Sequence, residues 1–515
     1  MEAFLSRTPV FLTLLAGVVM ATLGLLILFP PVAFLPVVAA VLLWVLAKVP
    51  LRYPVLTLLA ILLIIDCAVE VPYSGHWRSP LTFIGRLFFL NLNVVTGVPG
   101  LGFTLIDLSL FGLTALFVYR NAMGIKTDER TTPLPRPLVM ALLLVVVALL
   151  WMYFWGYLRG GDMRPAKWQL QKLLLLPIFV LLFNVAIRGP EDFRLLGRII
   201  IAAAFTKAFL GAFFVLFIGR PQGLYFEYAT THSDTMIYVT GLIIAIASWA
   251  EEPTWRNFRR MALVCGVILM GMHYNDRRLA YASFNQALIA IFLISPWTQV
   301  KRYAARVGIA LAPFFVIYVV VGWANPTGFF SPVNTFKSMI VGEHNDSGVM
   351  DYRDVENFNL IATWQKNPIL GTGYGHTFEE VMQLADISHL FEDYLYHPHN
   401  SVLGHLAFGG VVGFTGVWLF VALTVFFAIR AYHRAHPPQW RAGALVVVAI
   451  VVAYTNQCFG DMGISSWYGT ILMALGVTVA GKLATLTGAW PTYTPGPANP
   501  AEPQSIINRE GYRRT

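Results

Sequence analysis

Long apolar runs separated by short polar gaps make up most of the chain. Several runs, such as residues 11–28, 138–155 and 411–429, reach the ~20 residues that a helix needs to cross a bilayer. The pattern predicts an all-α polytopic membrane protein with about fourteen (roughly twelve to fourteen) transmembrane helices. The predicted helices lie near residues 9–29, 31–48, 54–71, 101–119, 137–157, 170–187, 195–218, 234–250, 260–273, 279–295, 304–323, 400–430, 442–458 and 464–486.

The composition agrees with this pattern and argues against a soluble domain. Hydrophobic residues make up 57% of the chain and charged residues only 12%, whereas a soluble domain carries roughly 25% charged residues. The formal net charge of +9 comes mainly from basic residues in the short gaps, which is typical of loops held in the cytoplasm. The charge therefore indicates topology rather than nucleic-acid binding. The basic clusters are Lys126, Arg130 and Arg136; Arg188, Arg194 and Arg198; Arg256, Arg259 and Arg260; Lys301, Arg302 and Arg306; Arg430, Arg434 and Arg441; and Arg509, Arg513 and Arg514.

One gap is much longer than the others and differs in charge. Residues 324–398 contain ten Asp or Glu but only three Lys or Arg, so the positive-inside rule places this loop on the outer side of the membrane. Aromatic residues recur along the loop, which predicts that it folds, partly as helices at 351–366 and 376–395. Because long loops of this kind are usually functional or disordered, we expect the active site here.

These features divide the chain into four predicted segments. They are N-terminal transmembrane helices (1–323), the large periplasmic loop (324–398), C-terminal transmembrane helices (399–490) and a disordered cytoplasmic tail (491–515). Both termini are therefore expected in the cytoplasm. The segment 76–93 is predicted to be an amphipathic helix at the outer interface.

Six arginines lie on the predicted outer side, where the positive-inside rule disfavours them. A guanidinium at a membrane boundary is costly unless it is paired, and it binds phosphate oxygens well. Several such groups around one outward cavity would suit a diphosphate headgroup. Anchoring on lipid phosphates, or pairing with Asp162, Asp276 or Asp354, is the alternative. The six residues are Arg159, Arg164, Arg220, Arg277, Arg278 and Arg353.

The segment from His397 to Gly413 enters a predicted membrane helix from the outer side. His399 lies at the membrane boundary and is followed by Asn400. A histidine there is suited to accept a proton from a sugar hydroxyl, because imidazole titrates near neutral pH. A histidine that only caps the helix is the alternative. Small residues in the same segment, which let another helix or a lipid approach closely, are Gly404, Gly409, Gly410 and Gly413.

Two other motifs give weaker indications. The Gly-rich segment 367–375 is predicted to be a turn between loop helices, with phosphate binding by its N–H groups as the alternative. Histidines and acids in the loop have spacing that suits zinc, but such loops are more often solvated surfaces. We therefore predict no metal. The residues with this spacing are His389, Glu392, Asp393, His397 and His399.

The histidine segment resembles the O-antigen ligase and O-antigen polymerase superfamily. The ligase motif is a His, then Asn, Ser or Gln, nine residues, a Gly, two residues, and then Gly, Thr or Tyr. This chain has His399, Asn400, Gly410 and Gly413 at the motif's positions. The resemblance covers residues 200–420 well and the earlier part of the chain in general character.

The outward arginines extend the resemblance. Arg353, followed by Asn-Pro-x-x-Gly-x-Gly, resembles the family's loop, and Arg220-Pro-Gln-Gly resembles its arginine between two helices. The family usually has Ser-Arg-Gly where this chain has Asp276, Arg277 and Arg278 in sequence, so either arginine is a candidate.

The resemblance implies a C-type membrane glycosyltransferase of the bacterial inner membrane, with a periplasmic active site and no cofactor. Its donor would be a glycan on undecaprenyl diphosphate, and its acceptor a glycan or the lipid A core. His399 would deprotonate or orient the acceptor hydroxyl, with inversion at the anomeric carbon. Arg220, with Arg277 or Arg278, would hold the diphosphate. The residues expected to bind substrate are Arg353, Tyr374, Asn400, Gly410 and Gly413.

Several functions stay open at this point. A polymerase for O-antigen or exopolysaccharide is favoured over a ligase, and an oligosaccharyltransferase acting on proteins is disfavoured. Membrane lipids and polysaccharide-assembly proteins are the other expected partners. A lipid-glycan flippase or sugar transporter is the alternative of another class. Such proteins place charges within the bilayer, where the chain has Asp66 and Asp107, but the sequence has no convincing internal repeat.

Overall fold

The computed structural model describes residues 8–28, 33–46, 48–67, 80–98, 101–122, 132–223, 229–275, 277–325, 330, 333, 337, 352–389 and 392–490. These residues are mostly helical, with no β-strand among them. The prediction of an all-α polytopic membrane protein is therefore confirmed. The tail 491–515, the loop residues 338–351 and the start of the predicted interfacial helix, 76–79, lie outside the described residues.

Seventeen α-helices are named here in chain order, all within the described ranges. They are α1 (Thr8–Leu28), α2 (Leu35–Leu46), α3 (Arg52–Ile64), α4 (Pro80–Phe89), α5 (Leu92–Thr96), α6 (Leu105–Ala122), α7 (Arg136–Leu158), α8 (Met163–Ala186), α9 (Phe193–Phe213), α10 (Asp234–Glu251), α11 (Trp255–Asn275), α12 (Arg278–Ile294), α13 (Gln299–Ala324), α14 (Tyr352–Lys366), α15 (Ser401–Arg434), α16 (Pro438–Gly460) and α17 (Trp467–Leu486).

Helices lie at every predicted transmembrane segment, with bounds that differ by several residues. Within the described residues, 8 helical stretches are long and apolar enough to cross a membrane. Shorter helices such as α2 and α3 do not reach the ~20 residues needed to span the hydrocarbon core. The total of about fourteen crossings therefore stays a prediction. The eight stretches are α6, α7, α8, Pro190–Gln222 (which contains α9), α13, α15, α16 and α17.

The centre of the bundle is formed by α16 and α17. Helix α17 is buried along nearly its whole length, and α16 packs against α10, α12, α15 and α17. Helices α7 and α8 enclose this centre through contacts with α15 and α17. By contrast, only 6% of the apolar window of α13 is buried, so this helix presents most of its surface outward.

Small residues allow α9, α10 and α11 to approach one another closely. A Cβ added at Gly241 of α10 would lie 2.8 Å from Ala204, and one at Gly271 of α11 would lie 2.3 Å from Ala208. Both alanines belong to α9. Such contacts between small residues are the usual way in which membrane helices gain packing energy.

The long loop has one of its two predicted helices. Helix α14 matches the predicted helix at 351–366, but the prediction of a helix at 376–395 is wrong, because the described residues there form turns and bends. Their backbone groups bond to distant partners instead of to residues four positions away. Phe378 donates to the Leu395 carbonyl, and the side chain of Asn359 bonds to both the N–H and the carbonyl of Met382.

Helix α15 is broken at Gly410, where φ is +57° and ψ is −165°. After the break, two N–H groups of α15 donate to carbonyls of the Gly-rich segment 367–375, which we call the inserted turn. These hydrogen bonds join Val411 to Pro368 (2.9 Å) and Val412 to Ile369 (3.1 Å). The turn thus takes the place of the missing helical acceptors.

The inserted turn also supplies donors on the other side of the break. The N–H of Thr372 donates to the Ala407 carbonyl at 3.1 Å, and the N–H of Gly373 donates to the Phe408 carbonyl at 2.8 Å. Backbone groups left unpaired in a membrane cost several kcal/mol each. The inserted turn therefore permits a break inside a membrane helix.

Gly371→Ala should lower the free energy of unfolding more than Gly488→Ala, a replacement at a glycine with similar backbone strain. Gly371 has a φ of +69°, and a Cβ there would lie 2.3 Å from the Phe408 backbone, whereas Gly488 has a φ of +63° and open space around it. The left-handed conformation costs an alanine roughly 1–2 kcal/mol at either position. We expect Gly371→Ala to cost roughly 1–3 kcal/mol more than Gly488→Ala because of overpacking.

Unfolding of both variants in detergent, followed by circular dichroism, measures this difference. Equal losses of unfolding free energy in the two variants would contradict the tight contact between the inserted turn and α15.

Candidate functional site

His399 lies in the segment that leads into α15, and Glu356 of α14 contacts both its ring and its backbone. The ring Nδ1 lies 3.1 Å from Glu356 Oε1, and the backbone N–H of His399 donates to Oε2 at 3.0 Å. The Glu356 side chain is 1% exposed and that of His399 is 23% exposed. A carboxylate at Nδ1 favours the Nδ1–H tautomer, which leaves Nε2 as the proton acceptor.

A second charged cluster joins three distant parts of the chain. Arg277 precedes α12, His232 precedes α10, and Asp461 follows α16. His232 Nδ1 lies 2.6 Å from Asp461 Oδ2, and the Arg277 guanidinium contacts His232 Nε2. Because an arginine can only donate, His232 accepts at Nε2 and donates from Nδ1 to the carboxylate. Gln457 also donates to Asp461, at 3.2 Å.

A single backbone hydrogen bond links the two clusters. The N–H of Met462, the residue after Asp461, donates to the carbonyl of His399 at 2.7 Å. Among the described residues, Met462 is the one non-glycine residue with a positive φ, at 48°. Such strain costs of order 1–3 kcal/mol and is often found at functional sites. The link holds His399 next to the Arg277 cluster.

Arg353 belongs to the same charged region. It is exposed in the first turn of α14, one helical turn before Glu356. Burial raises the pKa of Asp461, but the hydrogen bond with His232 and the nearby positive charges of Arg353 and Arg277 outweigh burial and lower that pKa. His399, Arg277 and Arg353, all predicted from the sequence, thus come together at one end of the bundle.

Arg220 and Arg278 lie at the same end but outside these two clusters. Arg220 follows a π-helical segment, Phe214–Gly219, at the end of α9, and its exposed guanidinium lies 5.6 Å from the ring of Tyr274. Arg278 is the exposed first residue of α12. Of the neighbouring pair, Arg277 is therefore the arginine in contact with the His232–Asp461 pair.

The remaining outward arginines stabilise the loop. The guanidinium of Arg159 lies 5.7 Å from the Trp155 ring and donates to the Gly371 carbonyl at 3.3 Å. Arg164 forms an ion pair with Glu392 at 3.0 Å. These contacts agree with the alternative interpretation of the two residues as paired arginines, although Arg164 pairs with Glu392 and not with Asp162.

The other predicted substrate-binding residues have the contacts of packing residues. Asn400 is 2% exposed and caps α15 by accepting from Leu403 N–H at 3.1 Å. Tyr374 is 2% exposed, and burial raises the pKa of its hydroxyl. Gly410 forms the break in α15, and a Cβ at Gly413 would lie 3.0 Å from Met152. Direct contact of these residues with substrate stays a prediction.

The backbone N–H groups of residues 371–375 in the inserted turn are all engaged within the protein, which argues against phosphate binding by these groups. Each backbone N–H from residue 371 to residue 375 donates to an acceptor within the protein. Besides the bonds to α15, Tyr374 donates to the Met152 carbonyl at 3.0 Å and Gly375 to Gln169 Oε1 at 2.8 Å. The inserted turn is therefore a structural element between α7, α8 and α15.

A buried ionic cluster lies behind the His232 segment. The ammonium of Lys207 in α9 is fully buried and pairs with Asp66 (3.2 Å) and with Asp234 (2.9 Å). It also donates to the Tyr468 hydroxyl at 3.0 Å. Asp234 accepts from the Thr231 N–H at 2.9 Å, so the cluster fixes the turn that carries His232.

The sequence interpretation missed four of these residues: Glu356, His232, Asp461 and Lys207. The topology rule selects misplaced arginines and gives no signal for acids or histidines on the outer side. A usable signal would have been the Arg353-x-x-Glu356 spacing, which places both side chains on one face of a helix. Lys207 is detectable as a lone cation within the apolar run of α9.

The loop residues with zinc-like spacing are the candidates for a metal site. Over the described part of the chain, no group of three or more His, Cys, Asp or Glu side chains is arranged to hold a metal ion. The site is instead built from hydrogen-bonded pairs of one base or cation with one carboxylate.

A family model matches the part of the chain that contains most of this site. Residues 261–418 match the family model of the O-antigen ligase. This part of the chain is similar to the O-antigen ligase family. The matched region includes Arg277, Arg353, Glu356 and His399, and the match confirms the resemblance to the O-antigen ligase and polymerase superfamily. None of the curated proteins matches the chain.

Asp461→Asn should remove part of the pH dependence of the protein's stability. The pKa of Asp461 is lower when folded than its ordinary 3.8, so its charge stabilises the folded state above that value. This contribution is lost as the pH falls through the folded pKa. We expect wild type to lose more thermal stability than the variant between about pH 6 and about pH 3. Equal losses, measured by thermal unfolding in detergent, would contradict the charge pairing.

Proposed function

We propose that the protein is a membrane glycosyltransferase that transfers a glycan from an undecaprenyl-diphosphate donor to an acceptor hydroxyl in O-antigen or exopolysaccharide assembly. The observation that carries this proposal is the His399–Glu356 pair beside the Arg277 cluster. A base oriented by a carboxylate, next to cations, suits attack on a glycosyl diphosphate. The match of residues 261–418 to the O-antigen ligase family supports the same class of reaction.

His399 is the proposed general base. Its Nε2 accepts the proton of the acceptor hydroxyl as the hydroxyl oxygen bonds to the anomeric carbon from the face opposite the diphosphate. The bond between that carbon and the diphosphate oxygen breaks, so the configuration inverts and undecaprenyl diphosphate leaves. Glu356 holds the ring in place and stabilises the imidazolium. General base catalysis of this kind contributes ~10²–10⁴-fold in rate.

The arginines are proposed to bind the donor diphosphate. Arg277, with Arg353 and Arg220 at the same end of the bundle, would offset the charge that develops on the leaving group. His232 and Asp461 hold the Arg277 guanidinium, so that its position is fixed before substrate binds. This mechanism uses no metal and no nucleotide sugar.

The proposed topology places this site in the periplasm of a bacterial inner membrane protein, with both termini cytoplasmic and the loop 324–398 outside. Helices α9, α11 and α16 run from basic clusters to the site, and α10, α15 and α17 run in the opposite sense. The basic clusters and the site are thus at opposite ends of these helices. This arrangement supports the proposal that the basic loops are cytoplasmic.

The acceptor separates the two reactions of the superfamily. A polymerase transfers the growing glycan to another lipid-linked repeat unit, and a ligase transfers the finished glycan to the lipid A core. We favour the polymerase, which the sequence analysis also favours. The ligase is the alternative.

The second candidate function, of a different class, is transport of a lipid-linked glycan. The observation that favours it is the buried Lys207 with its two carboxylates, since charges inside a bilayer often mark transport pathways. The pairing of all three charges, and their position behind the His232 turn, fit a structural role equally well.

A transfer assay in nanodiscs tests the function. With an undecaprenyl-diphosphate repeat unit alone and EDTA present, we expect a ladder of longer lipid-linked glycans, and none with His399→Ala. Transfer only after lipid A core is added would indicate the ligase reaction. If correctly folded protein forms neither product, while the same protein moves the lipid-linked glycan across vesicle membranes, the glycosyltransferase proposal is wrong.

Arg277→Gln should impair transfer far more than Arg278→Gln. Only the first variant removes the guanidinium held by His232 and Asp461, and loss of one such group costs ~10²–10³-fold in kcat. Arg278→Gln removes the same charge from the adjacent residue and serves as the matched control. Initial rates at saturating donor would show the difference; a larger loss in Arg278→Gln would assign the diphosphate contact to Arg278 instead.

A further inference from the structure

A groove of about 750 Å³ lies between α9, α10, α11, α16 and α17, away from the site. It is reached from the ends of the helices that carry the basic clusters. Helix α9 starts at the groove with Phe193 and extends 21 residues toward the site end, which corresponds to about 30 Å. The groove is therefore separate from the glycosyltransferase site and is independent of the proposed function.

Four arginines line one part of the groove in two pairs. Arg194 and Arg198 are one helical turn apart on α9, and Arg256 and Arg260 are one turn apart on α11. Like charges with this spacing repel each other, so each pair favours an anion between or near its members. Glu252 is the acid among the lining residues, and all four arginines are exposed, so the groove carries an excess of positive charge.

The remaining wall of the groove is apolar and follows the helices into the bundle. It is formed by aliphatic side chains such as Ile200, Ile244 and Ile450, and Gly197 leaves part of the α9 face open. A free phosphate would occupy the cationic end and leave this wall uncovered. A molecule with an anionic head and an apolar chain matches both parts.

We propose that the groove binds an anionic phospholipid, with its phosphate at the four arginines and an acyl chain along the apolar wall. Basic pockets between transmembrane helices bind anionic headgroups in this way. Other arginines on the predicted cytoplasmic side lie outside the groove. Arg259 and Arg302 belong to the basic clusters but do not line the groove.

Native mass spectrometry of the delipidated full-length protein with added phosphatidylglycerol tests the proposal. We expect a bound-lipid adduct that phosphatidylethanolamine does not form. Arg256→Gln/Arg260→Gln should weaken phosphatidylglycerol binding by about tenfold or more. Arg259→Gln/Arg302→Gln removes two arginines from the same predicted side and should bind within about twofold of wild type. Equal weakening in both double variants would overturn the proposal, because binding would then follow net charge alone.

Gly197→Leu tests the apolar part of the groove while it keeps all four arginines. A Cβ at Gly197 would lie 3.5 Å from Ile244, an ordinary contact, and the larger leucine side chain is expected to fill part of the groove that Gly197 lines. We expect about tenfold weaker phosphatidylglycerol binding in this variant. Unchanged binding in Gly197→Leu, or displacement of the lipid by equimolar inorganic phosphate, would show an anion site without an acyl-chain groove and overturn the proposal.

Discussion

The break in α15 at Gly410 is the constraint on which the rest of the site depends. A membrane helix can be interrupted only if other groups satisfy its backbone. Here the inserted turn accepts from two N–H groups and donates to two carbonyls across the break. Because the turn directly follows α14, these hydrogen bonds attach the outer loop to the membrane helices. They therefore fix Glu356 of α14 relative to His399, which lies just before α15.

Charge pairing gives the site its second constraint. Two cations in this region are held by a carboxylate or a histidine, Lys207 by Asp66 and Asp234 and Arg277 by His232. Pairs of this kind are costly to bury and contribute specificity of position more than stability. The strained backbone of Met462 lies at the junction, where it bonds the Asp461 segment to His399.

The sequence predicts the residues whose signal is local and misses those defined by tertiary contact. His399 follows from its motif, and Arg277 and Arg353 follow from their position against the topology rule. Glu356 lies 43 positions from His399, and His232 lies 229 positions from Asp461, so neither pair has a local pattern. The helix expected at 376–395 fails for the same reason, since its backbone groups bond to α14 and to Leu395. The Gly-rich segment was predicted as a turn, but its role in repairing α15 needed the structure.

The central claim is that Glu356 affects the transfer rate through His399, so that the two residues act as one unit. A double-mutant cycle on the transfer rate tests it, with Glu356→Gln, His399→Gln and the double variant measured at saturating donor and acceptor. Residues that act as a unit give strongly non-additive losses. We expect the double variant to be no slower than His399→Gln alone, within about twofold. A double variant whose loss equals the product of the two single losses would show that the residues act independently and would contradict the claim.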